Sequence, residues 1–113
     1  MALQLEVSLP SGVAGSYWKV IRTYIDHYLL ESTVHIALFR DQQARQDGKQ
    51  PMQVRQFKLN GNLFPYTMEA MNSSNVVEIG YDKLKTLRNV DLDPNWPDPN
   101  TKNNFVWEGA EDI

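Results

Sequence analysis

The sequence predicts an α+β fold dominated by strands, and three observations predict it. Leu3, Leu5, Val7 and Leu9 alternate with Gln4, Glu6 and Ser8, the period of two that marks a half-buried strand. Residues 16–59 hold three β-rich runs, 17–25, 33–40 and 52–59, joined by turn-like links. Helical spacing shows clearly only in 80–87, where Tyr81, Leu84 and Leu87 fall at i, i+3 and i+6. The expected architecture is an antiparallel meander sheet, or a small sandwich or partial barrel, with one or two short helices. Its strands lie near 2–9, 17–26, 33–40 and 52–59.

Taken in order, residues 10–15 break the first alternation with Pro10, Gly12 and Gly15 and predict a loop. The next run carries large apolar groups on both faces, so it is expected either to be central in the sheet or to have one face on the core and the other covered by a partner. Val34, Ile36 and Leu38 mark the core face of the third run. Asp41 can cap one helical turn over the polar link that follows, which ends in the turn signal Asp47-Gly48. In 52–59 the apolar phase changes between Val54 and Phe57, which predicts a bulge near Arg55 and Gln56. Asn60-Gly61 is a strong turn signal. Residues 67–71 are ambiguous, and Val76, Val77 and Ile79 read as a brief strand. Pro94, Pro97 and Pro99 predict a looped arm over 91–104. The chain is thus expected to divide into a compact β-rich domain, 1–90, and a proline-bearing acidic arm, 91–113, packing on that domain or on a neighbour.

Composition bounds the function. At 113 residues, 42% hydrophobic and 22% charged, the chain fits one ordinary globular domain and not the disordered class. Without cysteine it has no disulfide or thiolate metal site, so stability must come from packing and hydrogen bonds. Residues 1–9 lack the basic and apolar regions of a signal peptide, and no apolar run is long enough for a membrane span. No membrane partner is expected. The net charge of −3 is unevenly spread. In 40–58, Arg40, Arg45, Lys49, Arg55 and Lys58 outweigh Asp41 and Asp47 to give +3. In 89–113, Lys102 stands against Asp91, Asp93, Asp98, Glu108, Glu111 and Asp112 to give −5. An acidic domain with scattered basic groups does not suit phosphate neutralisation, so no nucleic-acid partner is expected.

Each motif with catalytic or metal chemistry has a plainer reading. Asp91, Asp93 and Asn95 open like a calcium loop, but Trp96 and Lys102 stand where glycine and a bidentate glutamate belong. His27 and His35 lack the spacing of a helical metal pair. No glycines frame a serine as a nucleophile elbow. Asn72-Ser73-Ser74 fits a glycosylation acceptor but reads as a polar loop. No catalytic residue, metal ligand or cofactor is therefore expected. The candidates that stand are interaction residues: Tyr17, Trp18, Tyr24, Arg40, Arg45, Arg55, Trp96, Phe105 and Trp107. Tyr17, Trp18, Tyr24 and Tyr28 suggest a sugar-stacking platform or, at least as readily, core residues or interface anchors.

Five stretches carry a resemblance: LQLEVSLPSG at 3–12, SYWKV at 16–20, ALFRDQQARQDGKQP at 37–51, YDKLKTL at 81–87 and WEGAEDI at 107–113. In their order the chain resembles the small accessory proteins encoded among the tail genes of double-stranded DNA bacteriophages and prophages. The proline-bearing insert at 91–104 departs from that pattern. The resemblance implies a non-enzymatic virion or tail-assembly protein, at the baseplate, fibre attachment or tail tip, with other tail proteins as partners and a homo-oligomer as one form. Its expected location is the virion, or the host bacterial cytoplasm during assembly. Two other readings are a small carbohydrate-binding module and a morphogenesis chaperone absent from the finished particle.

Overall fold

A computed structural model describes residues 2–113. It contains a five-stranded sheet with helices on one face, and strand exceeds helix, 34% against 26%, so the sheet organises the fold. The strands are β1 (Leu3–Ser8), β2 (Ala14–Asp26), β3 (Glu31–Phe39), β4 (Gln53–Lys58) and β5 (Glu111–Asp112). Every neighbouring pair is antiparallel, in the order β4-β3-β2-β1-β5. The meander expected from the sequence is present, and the far end of the chain closes its open side.

Two bulges set the faces of the sheet. Ile21 is an extra residue in β2: Val20 pairs with Ile36, yet Arg22 pairs with the adjacent His35. The inward side chains of β2 are therefore Trp18 and Val20 before the bulge, then Thr23 and Ile25 after it. This explains why the run looks apolar on both faces, since the phase shifts midway. A second bulge in β1 sets Leu5 and Glu6 opposite Ser16. The bulge expected near Arg55 and Gln56 is not there, because β4 pairs with β3 in unbroken register from Thr33–Lys58 to Leu38–Gln53. The apparent change of phase arises because Arg55 occupies a core-facing position while Val54 faces solvent.

Other boundaries also move. β2 begins at Ala14, so the loop ends before Gly15. Gly15 is buried in the strand, where a Cβ would lie 2.9 Å from the Phe39 carbonyl oxygen. Asp41 does cap a short helix, α1 (Gln42–Gln46), its carboxylate accepting from the Ala44 N–H at 2.8 Å. The ambiguous 67–71 stretch becomes α2 (Met68–Ser73), capped by Thr67. Val76, Val77 and Ile79 form no strand but open α3 (Val76–Thr86), because the Asn75 side chain accepts from the Glu78 N–H at 2.8 Å and starts a helix there. A short α4 (Asn89–Leu92) follows, and the proline-rich stretch runs on as successive turns.

The core lies between the sheet and the helices. Leu3, Trp18, Val34, Ile36, Leu38, Phe57 and Leu59 from the sheet meet Phe64, Tyr66, Ile79, Tyr81, Leu84, Leu87 and Trp107. Tyr81 accepts from the Val20 N–H at 2.7 Å next to the β2 bulge, tying α3 to the irregular point of the sheet. Burial pushes the phenols of Tyr66 and Tyr81 upward from their usual range.

Candidate functional site

The core-forming helix α3 packs on one face of the sheet, and the outer face is where surface chemistry collects. On this face a small buried cluster of Ala2, Tyr17, Ala37 and Phe39 sits near α1, with the Arg45 guanidinium 5.7 Å from the Phe39 ring centroid. Beyond it the face is open, with Ile21, Tyr24 and Val54 exposed. Tyr24 meets His35 edge to face at 5.6 Å.

The β2–β3 hairpin carries this surface to a tip. Tyr28, Leu29 and Leu30 are 92%, 56% and 50% exposed, three consecutive apolar side chains without cover. They are held, not loose. The Asp26 carboxylate accepts from the N–H groups of Tyr28 and Leu29 at 2.9 and 3.1 Å, and the Leu30 carbonyl accepts from the Gly61 N–H at 3.2 Å. Leu30 is the only non-glycine residue with positive φ among those described, at 53°. A branched side chain in that left-handed conformation costs about 1–2 kcal/mol, so the rest of the turn must impose it. Asp26 and Glu31 flank the tip with negative charge, and His27 is held beside it by a 3.0 Å contact between Nε2 and the Tyr66 carbonyl oxygen.

The structure separates the candidate interaction residues. Trp18 and Trp107 are not surface anchors, because both rings fill the core and meet at 4.9 Å. Tyr17 is buried on the outer face, while Tyr24 is exposed there. The proposed sugar platform is therefore broken: Tyr17 is covered, Trp18 points through the other face, and Tyr24 and Tyr28 stand free. Arg55 lies half-buried with its guanidinium 4.9 Å from the Phe57 centroid and 5.4 Å from that of Trp107, and desolvation lowers its pKa. Arg40 is exposed at the rim of a shallow depression that also includes Glu6, Asp41 and Glu111. Trp96 is partly exposed, and its indole N–H donates to the Thr101 hydroxyl at 2.9 Å. Phe105 is exposed beneath the Arg88 guanidinium at 5.2 Å.

Among the described residues no ion pair joins the acidic groups of 91–113 to the basic groups of 40–58, although the Arg55 guanidinium packs on the Trp107 ring. Among the described residues the ion pairs join Lys85 to Asp112 at 2.9 Å and to Asp82 at 3.6 Å. The hydrogen-bonded partner Asp112 raises the Lys85 pKa. The hairpin tip was missed in the sequence because residues 26–32 look like an ordinary link. The signal available was Tyr28-Leu29-Leu30, an apolar triplet inside a turn, where solvated residues are the rule.

No group of three or more His, Asp and Glu side chains with metal-binding proximity occurs among the described residues, and no helix there is long and apolar enough to cross a membrane. No protein-family model, curated protein or solved structure matches this chain.

Proposed function

We propose that this chain is a non-enzymatic virion or tail-assembly protein of double-stranded DNA bacteriophages or prophages, working through protein contacts at the baseplate, fibre attachment or tail tip. The phage context rests on the sequence resemblance. The observation that supports contact as the mode of action is the hairpin tip, where a strained, hydrogen-bonded turn holds Tyr28, Leu29 and Leu30 in water. Apolar groups fixed before binding lose little entropy on docking, and an aromatic ring beside two leucines supplies the anchoring area that interfaces favour. The Asp26 and Glu31 carboxylates oppose an anionic bilayer and suit a protein pocket with an apolar floor and a basic rim.

The test is a double variant, Leu29→Ser with Leu30→Asn, which removes the apolar tip and places in the left-handed position a residue that tolerates it. Its melting temperature should match or exceed that of the parent, while capture of neighbouring tail proteins is lost. Mass spectrometry of purified particles then separates a virion component from an assembly chaperone. Unchanged capture by the double variant, with the fold intact, would remove the tip from this role.

A further inference from the structure

The two open edges of the sheet differ in charge and lie at opposite ends of it. β4 forms one edge and pairs only with β3, and β5 forms the other and pairs only with β1. On β4 the Leu59 N–H donates to the Ser32 carbonyl oxygen, so by alternation Val54, Gln56 and Lys58 turn their backbone groups away from β3. On β5, Ala2 and Ile113 exchange both backbone hydrogen bonds, so Asp112 turns its own outward. The β4 edge belongs to the segment of charge +3, and β5 belongs to the segment of charge −5.

From this we infer that the β4 edge of one copy docks on the β5 edge of the next, joining the sheets head to tail. The inference refines the assembly reading above by naming a second copy of this chain as a partner. Every step across the sheet is antiparallel, so β4 and β5 run in the same direction and would pair as parallel strands. One register satisfies both the hydrogen bonds and the faces. Gln56 set beside Glu111 brings its outward N–H and C=O to the backbone on either side of Glu111, as a parallel ladder requires. The same register places Lys58 diagonally from Glu111 on the outer face and Arg55 diagonally from Asp112 on the helix face, within reach of long side chains. Among the described residues of one chain Glu111 forms no ion pair, although Arg40 lines the same depression. Pairing β4 with β4 of another copy would bring two basic edges together, so charge favours the head-to-tail contact. Such a heterologous contact closes into a ring, or propagates as a filament, according to the rotation between copies.

Sedimentation of the full chain over a range of concentrations and salt tests this. The parent should associate with rising concentration and dissociate as salt rises. Lys58→Glu and Glu111→Lys should each weaken association by at least about tenfold. Mixed in equal amounts, the two variants should associate again, because each reversed edge meets an opposite charge on the other. Failure of the mixture to recover, or a parent that stays monomeric at every concentration, would overturn the contact. Loss in Lys58→Glu alone, with Glu111→Lys unaffected, would overturn it in favour of β4–β4 pairing. Each outcome is independent of the hairpin tip, so the wider assembly reading is judged separately by the capture experiment.

Discussion

Trp18 and Trp107 meet edge to face in the core, with ring centroids 4.9 Å apart and planes at 83°, yet their indole N–H groups fare differently. That of Trp18 donates to the Leu5 carbonyl oxygen at 3.1 Å, at the β1 bulge, whereas that of Trp107 is buried with no acceptor among the described residues. Truncating either ring to alanine should cost about 3–5 kcal/mol in thermal or denaturant unfolding. Replacement by phenylalanine should separate them. Trp18→Phe also strips the Leu5 carbonyl of its donor, while Trp107→Phe removes an unpaired polar group, so the Trp18 variant should be less stable by about 1–2 kcal/mol. Equal losses would mean that the N–H groups play no part.

Truncation after Arg88 should abolish cooperative unfolding rather than just alter association. It removes Trp107 from between Trp18, Phe57 and Arg55, together with the strand that pairs with β1. A sharp melting transition in the truncated chain, measured by circular dichroism, would show that residues 2–88 form a core without it.

Gly15→Ala should destabilise by about 1–3 kcal/mol, the usual cost of overpacking. Its Cβ would meet the Phe39 carbonyl oxygen at 2.9 Å and the Leu38 side chain at 3.0 Å, one of them a rigid backbone atom. By contrast, Gly12→Ala meets no atom within 4 Å and is strained only by its φ of +85°, so comparing the two melting temperatures separates crowding from backbone conformation.

Alkaline pH should weaken the fold. Lys85, Tyr66 and Tyr81 all have pKa values raised in the folded state, Lys85 by its hydrogen bond to Asp112 and the two phenols by burial. Above their ordinary values, about 10–10.5, the unfolded chain releases protons that the folded chain still holds, so stability falls as pH rises through the folded values. Below that window the contribution is fully present. Ultraviolet titration should show two tyrosines ionising late, and Asp112→Asn should reduce the part of the alkaline loss that Lys85 causes. Simultaneous titration of all five tyrosines at the ordinary value would contradict this.

The strands were legible because each buries one face, and the period of two survives in β1, β3 and most of β2. What failed has a common cause: a single residue in an unexpected position. Ile21 adds one residue to β2 without any glycine or proline to announce it, and Arg55 places a charged group where a core side chain was expected. Packing its guanidinium on Phe57 and Trp107 makes that position tolerable, but those rings come from different parts of the chain. Asn75 overrides the strand preference of Val76 and Val77 by capping, a local signal present in the sequence itself. Of the candidate surface, the basic and acidic segments were visible as composition. Their places at opposite edges depend on strand order, which pattern alone does not reveal.

The pairing of Leu3 with Asp112 also bears on how the protein is made. During synthesis β1 emerges well before residues 111–112, which close its outer side, so the five-stranded sheet cannot be completed until those residues have left the ribosome. The β2–β3 hairpin needs no such wait, since its partners are adjacent in sequence and loop closure is short. A nascent chain therefore holds a formed hairpin beside an unsealed β1 edge until residues 111–112 emerge, and that interval is when strand exchange between neighbouring nascent copies has its opportunity.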